Sequence, residues 1–382
     1  MKPRIVLSGV NLVNMGPLNI FREALQSLVR ICGDEYEVIA IVHRRELFDI
    51  PGITYIEFPA IKSSWLRRLW LEYGALKTLS KRLSPKLWLS MHDMTPNVTA
   101  DIRAVYCHNP SPFYSLRLRD AILDPTFALF VAFYRYLYRI NLKRNSFVIV
   151  QQDWIRKNFE HIFGLQNVIV AQPSLDDAST RIKSRERTSN SRFSFFYPAF
   201  PRTFKNFEVV LEAARALEER KINNFELWLT VDATVNRYAA RLVQEFSGLR
   251  NVRWLGLLSQ ERVFDLYGKA DCLAFPSKLE TWGLPITEFK TTGKPILAAD
   301  LPYAHETVGN YDLSAFFDPD DPTRLAEIMR RASIGEAVFA PSRGSVPAMP
   351  YARNWSELWP LILGDLQARS DTLPMMLEST RE

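Results

Sequence analysis

The stretch Phe275–Pro295, FPSKLETWGLPITEFKTTGKP, carries two carboxylates, Glu280 and Glu288, spaced Glu-x7-Glu on either side of Gly283 and Pro285. The apolar run Cys272–Phe275 reads as a strand and Pro285 is a residue that opens helices, so the pattern predicts strand, loop and helix, with Glu288 in the helix's first turn. A loop that enters a helix presents free backbone N–H groups and the positive end of the macrodipole, a site suited to a diphosphate. Gly283 is expected to let backbone and ligand approach closely, and the two carboxylates can accept hydrogen bonds from the hydroxyls of one ligand. A surface helix with ordinary acids at its N-terminus would show the same spacing.

Three further segments place reactive residue types next to strand ends. Tyr197–Asn206, YPAFPRTFKN, puts Arg202 and Lys205 after the apolar run Phe193–Tyr197 and ahead of a helix. Tyr106–Phe113, YCHNPSPF, puts His108 at a strand end before a proline-rich loop, where open α/β sheets bind ligands; a satisfied structural histidine is the alternative. Gly9–Pro17, GVNLVNMGP, places Gly16 between the first strand and a helix, where a glycine can also simply end a loop.

These motifs resemble the retaining GT-B glycosyltransferases of family 4, whose signature is this Glu-x7-Glu followed by a Gly-x-Pro turn into the next strand. The resemblance implies an α/β protein of the GT-B fold, two Rossmann-like domains facing across a cleft. It implies transfer of a sugar, with retention, from a nucleotide diphosphate sugar to a saccharide acceptor, with a lipid-linked glycan of surface polysaccharide or lipopolysaccharide assembly as the favoured acceptor. Glu280 would contact the transferred sugar and Glu288 the ribose, with Thr281, Trp282, Gly283 and Leu284 completing the donor loop. Lys205 and Arg202 would grip the diphosphate and stabilise the departing nucleotide, which would itself deprotonate the acceptor on the same face. His108 would be directed at the donor sugar or reaction centre, and Gly16 would line the cleft. Thr281 and Trp282 stand where the family usually has Gly-Phe. The family arginine normally precedes the lysine by about five or six residues, a register held here by Ala199 and Phe200. No cofactor and no metal is implied: the Asp318–Asp320 pair in FFDPDDP reads as a helix cap before Pro322. A noncatalytic GT-B-like protein that binds nucleotide sugar or glycan is the alternative reading.

The elements that must position these residues alternate along the chain. Arg4–Leu7, Tyr36–Val42, Ile53–Phe58, Leu87–Met91, Arg103–Cys107, Phe147–Val150 and Val168–Val170 are short apolar runs, continuous rather than alternating, as parallel strands covered on both faces require. Helix-period segments such as Ile20–Ile31 and Ser64–Leu83 lie between them. A polar stretch over 176–192 cannot pack into a core and reads as a linker. The alternation then resumes with strands at Phe193–Tyr197, Phe225–Val231, Val252–Leu255, Cys272–Phe275, Ile296–Ala298 and Ala315–Phe317, and helices at Asn206–Glu219 and Arg262–Lys269. The expected organisation is an acceptor-binding domain over 1–175, the linker, a nucleotide-sugar-binding domain over 193–345, a C-terminal helix within 346–363 and a polar tail over 364–382. Two placements stand open for that helix: crossing back to the first domain, or the core of the second.

Length and composition agree with this. At 382 residues with 47% hydrophobic and 24% charged residues, two globular domains are expected and disordered, collagenous or disulfide-scaffold classes are excluded. The three cysteines have no ligand-like spacing, which fits reduced thiols and a cytoplasmic protein. Met1–Val10 shows no signal-peptide pattern, and no apolar run reaches the ~20 residues of a spanning helix. Lys and Arg exceed Asp and Glu by 48 to 42, yet they are dispersed and no nucleic-acid-binding motif appears, so nucleic acid is not an expected partner. Ser64–Lys81 and Ala132–Arg144 combine basic residues with aromatics, which suits peripheral attachment to an anionic membrane on its inner face. Core-facing aromatics beneath a solvated basic face would give the same pattern.

Overall fold

The computed structural model describes residues 2–13, 15–61, 64–173, 182 and 191–364, without the side chains of Met15 and Trp65. Most of the linker over 176–192 and the polar tail beyond Gly364 therefore lie outside the described residues. The chain forms two compact units, the first comprising residues 1–112, 133–174 and 347–382, the second 113–132 and 175–346. The second unit thus takes in Phe113–Ala132, which the expected boundary at 175 assigned to the first domain.

In the first unit, β1 (Arg4–Ser8), β2 (Glu37–Val42), β3 (Ile53–Glu57), β4 (Leu87–Ser90), β5 (Ile102–Tyr106), β6 (Phe147–Val150) and β7 (Val168–Ala171) are parallel. Their order is β7-β6-β5-β4-β1-β2-β3, so the order reverses between β1 and β4. Continuous apolarity has the expected cause, since both faces are covered. On one face α1 (Met15–Cys32) buries Phe21, Leu25 and Leu28. On the other, α2 (Trp65–Trp70), a π-helical turn at Leu71–Ala75 and α3 (Leu76–Leu83) bring Leu71, Leu76 and Leu79 onto Val6, Ile39 and Trp88. The π turn carries Glu72 inward, where it accepts a 2.6 Å hydrogen bond from His92 Nε2 while His92 Nδ1 meets the Ser8 carbonyl at 3.0 Å. A carboxylate can occupy this core position only because it is paired.

The chain leaves the first unit into α4 (Leu118–Leu123) and α5 (Pro125–Arg139), and α6 (Asp153–Phe163) follows β6. In the second unit β8 (Phe193–Tyr197), β9 (Phe225–Leu229), β10 (Val252–Trp254), β11 (Cys272–Phe275), β12 (Ile296–Ala299), β13 (Tyr311–Phe317) and β14 (Ala340–Ser342) take the order β10-β9-β8-β11-β12-β13-β14. All pairings are parallel except β13 with β14. The helices are α7 (Phe207–Glu219), α8 (Arg237–Phe246), α9 (Gln260–Lys269), α10 (Leu284–Lys290), α11 (Pro302–Val308) and α12 (Pro322–Ser333). Here too the order reverses once, between β8 and β11.

The C-terminal segment lies with the first unit. A short strand, β15 (Tyr351–Ala352), pairs parallel with β7, and a helix over 355–364 stacks Trp355 on Trp359 at 5.4 Å inside the core that holds Leu7, Phe21 and Ala104.

Candidate active site

In a doubly wound sheet, loops on the two sides of the order reversal diverge and leave a crevice beyond the carboxyl ends of the strands. In the second unit those loops follow β8 and β11, and they hold Lys205 and Glu280. The loop after β8 is fixed by its own backbone: the Tyr197 hydroxyl donates to the Lys205 carbonyl at 2.9 Å, and Asn206, at φ +55°, sends its amide to the carbonyls of Pro276 and Pro319. The loop after β11 is tied to it by the Lys278 N–H, which donates to the Phe204 carbonyl at 2.8 Å. Lys205 Nζ then lies 2.5 Å from Glu280 Oε1, with the two side chains only 18% and 13% exposed. An ion pair this sheltered is a ready exchange partner: an incoming phosphate can take the ammonium while a sugar hydroxyl takes the carboxylate. Burial and then the Glu280 charge push the hydroxyls of Tyr197 and Tyr303 well above the ordinary tyrosine range, so both stay protonated as hydrogen-bond donors. Tyr303 uses its proton on the Ser277 carbonyl at 2.6 Å.

The remaining residues of the motif take different positions. Trp282, expected in the donor loop, is 7% exposed; its indole N–H donates to Thr287 Oγ1 at 2.9 Å and its carbonyl accepts from Thr307 Oγ1. It anchors the loop from beneath, leaving Thr281 and Leu284 as the half-buried residues on either side of the Trp282–Gly283 pair. Glu288 lies in the second turn of α10, not the first, because the helix begins at Leu284. The buried Tyr267 of α9 donates to its Oε2 at 2.9 Å and thereby fixes its rotamer. At seven residues α10 has a short dipole, so charge stabilisation at this site falls mainly on the side-chain cations.

Gly283 is required for its backbone, not for close packing. A Cβ there would meet Ile286 and Phe275 at an ordinary 3.5 Å, whereas φ is +85°. Gly283→Ala is therefore expected to destabilise the second unit by about 1–2 kcal/mol, and Gly283→Asn by less, since asparagine tolerates this region. Chemical denaturation checks the ranking; equal loss for Asn and Ala would contradict it.

Arg202 does not join the Lys205–Glu280 pair directly. Its Nε and Nη2 reach the carboxylate of Asp124 at 2.5 and 3.2 Å, and its side chain and that of Lys205 both lie over the ring of Phe204, 6.0 and 5.4 Å from the two cations. The Asp-x-Asp segment divides its work. Asp321, one residue beyond the pair, caps α12 by accepting from the Arg324 N–H, while Asp318 accepts from the Asp320 N–H at 2.8 Å. Asp320 pairs with Arg117 and Lys278, and hydrogen bonding from Arg117 in the first place lowers its carboxyl to about 2. Among the described residues no group of three or more His, Cys, Asp or Glu side chains could hold a metal ion.

In the first unit His108 follows β5. Its backbone N–H donates to Asp93 Oδ1 at 2.5 Å, its ring packs 4.6 Å from that of Tyr106, and the Gln151 amide nitrogen lies 3.3 Å from Nδ1. Burial lowers the imidazole below its ordinary value against the opposing pull of the Asp93 carboxylate, which favours the neutral ring. Asp93, at φ +70° just past β4, also accepts from the Asn109 N–H and from the hydroxyls of Tyr134 and Tyr138. A lone aspartate in MHDMTP carries no spacing signal, so its partners are not legible in the sequence. Gly16, expected in a loop, belongs to the first turn of α1 because that helix begins at Met15.

Two α/β units with these strand orders define the GT-B fold of glycosyltransferases. Residues 178–337 match the family model described as glycosyl transferases group 1, and the fold is the GT-B fold of the solved glycosyltransferases it superposes on. Among curated proteins it is 24% identical over 311 residues to the O-antigen chain mannosyltransferase RfbU of Salmonella typhimurium, covering 78% of this chain and 81% of that one. Among solved structures, sucrose-phosphate synthase from Thermosynechococcus elongatus superposes with a TM-score of 0.62 at 15% identity, covering 99% of this chain and 100% of that one. HepE of Anabaena in complex with UDP-glucose superposes with 0.58 at 14% identity, covering 97% and 99%.

Proposed function

We propose that this protein is a retaining glycosyltransferase of family 4 that moves a sugar from a nucleotide diphosphate sugar to a saccharide acceptor in surface polysaccharide assembly. The observation that carries the reading is the Lys205–Glu280 pair at 2.5 Å, held by the two loops that diverge at the order reversal of the second sheet. In this reading Lys205, with Arg202, neutralises charge on the departing diphosphate. Glu280 holds the hydroxyls of the transferred sugar, and Glu288, oriented by Tyr267, meets the ribose. His108 takes the place of the histidine that glycosyltransferases of this kind direct at the donor sugar or reaction centre. The similarity to RfbU supports an O-antigen-type glycan as acceptor, and a lipid-linked one is the form we favour. The test is a panel of UDP-, GDP-, ADP- and dTDP-sugars with glycan acceptors, reading the anomeric configuration of the product by NMR. Transfer with retention is expected; inversion, or binding without turnover on every donor, would overturn the reading.

A second feature supports work at a membrane surface. α5 buries Phe127, Tyr134 and Tyr138 but exposes Leu129, Phe133 and Tyr136, with Ile140 just beyond, a stripe at spacings of four, three and four; Leu129 and Phe133 are 60% and 59% exposed. Arg135 and Arg139 flank it, 4.9 and 5.8 Å from the Tyr136 ring. An apolar stripe edged by cations fits the headgroup boundary of an anionic bilayer on the cytoplasmic side. Of the other basic segment, Arg67 is a surface charge, whereas Arg68 is half-buried and donates to the His92 carbonyl. No described helix is long and apolar enough to cross a membrane. The protein is expected to sediment with anionic liposomes at low salt, and a variant carrying Leu129→Ser, Phe133→Ser, Arg135→Gln and Arg139→Gln to bind at least tenfold less, at ~1 kcal/mol for each cation. Unchanged binding by that variant would remove α5 from the interface.

A further inference from the structure

The segment Phe113–Ala132 lies with the second unit and is fastened to it by three ion pairs: Arg117 with Asp320 at 2.8 Å, Arg119 with Glu208 at 2.5 Å, and Asp124 with Arg202 at 2.5 Å. The first is exposed on both sides and contributes little. The third differs in kind. Asp124 is 12% exposed, and both of its oxygens are engaged. Oδ1 accepts from the Phe127 N–H at 3.1 Å and from Arg202 Nη2 at 3.2 Å, while Oδ2 accepts from Arg202 Nε. One carboxylate therefore caps the start of α5 and clamps one edge of a guanidinium. Phe127, three residues on, packs its ring 4.6 Å from Phe204, the ring over which Arg202 lies. Orientation and support of Arg202 thus both come from this segment, and Arg202 Nη1 has no hydrogen-bond partner among the described residues.

We propose that Asp124 is a positioning residue for donor binding: it holds Arg202 by its Nε–Nη2 edge so that the Nη1 edge is presented to the donor's diphosphate. The proposal rests on reading the loops after β8 and β11 as the diphosphate site. An arginine in solution samples many rotamers, and ordering it on binding weakens affinity; a carboxylate that already holds one edge removes most of that cost. The sequence distance is what hides the arrangement. Arg202 departs from the family register, and the residue that compensates lies 78 positions earlier, in a segment between two strands of the other unit.

Asp124→Asn separates the two duties of the carboxylate. Asparagine is as good a helix cap as aspartate, so α5 stays capped while the charge on Arg202's partner is removed. The probe is whichever of UDP, GDP, ADP and dTDP the wild-type protein binds most tightly, followed by calorimetry. Asp124→Asn is expected to raise its Kd about 3- to 10-fold, to lower the melting temperature no more than Arg202→Ala does, and to have no further effect on binding when combined with Arg202→Ala. Tighter binding by Asp124→Asn would show that Asp124 competes with the diphosphate, and would overturn the proposal. A loss that persists in the Arg202→Ala background would reduce Asp124 to a structural role and overturn it as well. Unchanged binding by Arg202→Ala alone would remove Arg202 from the site, and binding of none of the four nucleotides would remove the donor site itself. An effect of Arg202→Ala with none from Asp124→Asn would leave the donor reading standing and refute only the positioning role.

Discussion

Lys205→Ala is expected to lower the rate of sugar transfer by about 10²–10³-fold, the usual consequence of removing one preorganised group that stabilises transition-state charge, with the fold intact. The lysine is the cation nearest the carboxylate assigned to the sugar, and its backbone, not its side chain, holds the loop: Tyr197 donates to the Lys205 carbonyl and the Lys205 N–H donates to the Arg202 carbonyl. Removing the ammonium should therefore leave the loop in place. Glu280→Gln is expected to cost a similar factor for a different reason. The amide keeps the size but cannot neutralise Lys205, and it offers the sugar hydroxyls a weaker acceptor. Because the two side chains act as a unit, the double variant should lose much less than the product of the single losses. Steady-state kinetics with thermal melting as a control checks this, and strictly multiplicative losses would separate the two residues.

Trp359→Ala is expected to destabilise the first unit by about 3–5 kcal/mol, the range for truncating a buried aromatic, which is a large part of the ~5–15 kcal/mol that typically holds a domain together. Trp359 is fully buried, stacks on Trp355 and packs within the core of the first sheet although it lies near the end of the chain. Its indole N–H has no hydrogen-bond partner among the described residues, so Trp359→Phe removes an unsatisfied donor along with some packing and should cost far less than Ala. Two units need not unfold together, so amide exchange along β7 and β15 is the suitable probe. Protection there should collapse in Trp359→Ala and largely survive in Trp359→Phe; a wild-type pattern in Trp359→Ala would contradict the packing role.

The positions of Lys205 and Glu280 on loops after β8 and β11 were legible because loop charges just after strand ends stand out against apolar runs. The strands were legible for the same reason, with bounds shifted by a residue or two. β13 begins four residues before the expected Ala315 because Tyr311–Leu313 are not buried and carry no continuous apolar signal. β14, with the sequence Ala-Pro-Ser, and the two-residue β15 offer no periodicity at all. The burial of the Trp282 side chain was not legible because a tryptophan beside a glycine loop can face outward or inward, and its partners Thr287 and Thr307 decide it only in the folded chain. Glu72 was hidden by a π turn that rotates one position of an amphipathic helix inward. The roles of Asp93, Asp124 and Tyr267 come from partners far away in sequence, which no local pattern encodes.

A structure of the protein with a nucleoside diphosphate bound would locate the diphosphate. It is expected at the carboxyl ends of β8 and β11, with Lys205 Nζ drawn from Glu280 onto a phosphate oxygen and Arg202 contacting the diphosphate through Nη1. A nucleotide bound elsewhere, with the 2.5 Å Lys205–Glu280 pair intact, would contradict this placement.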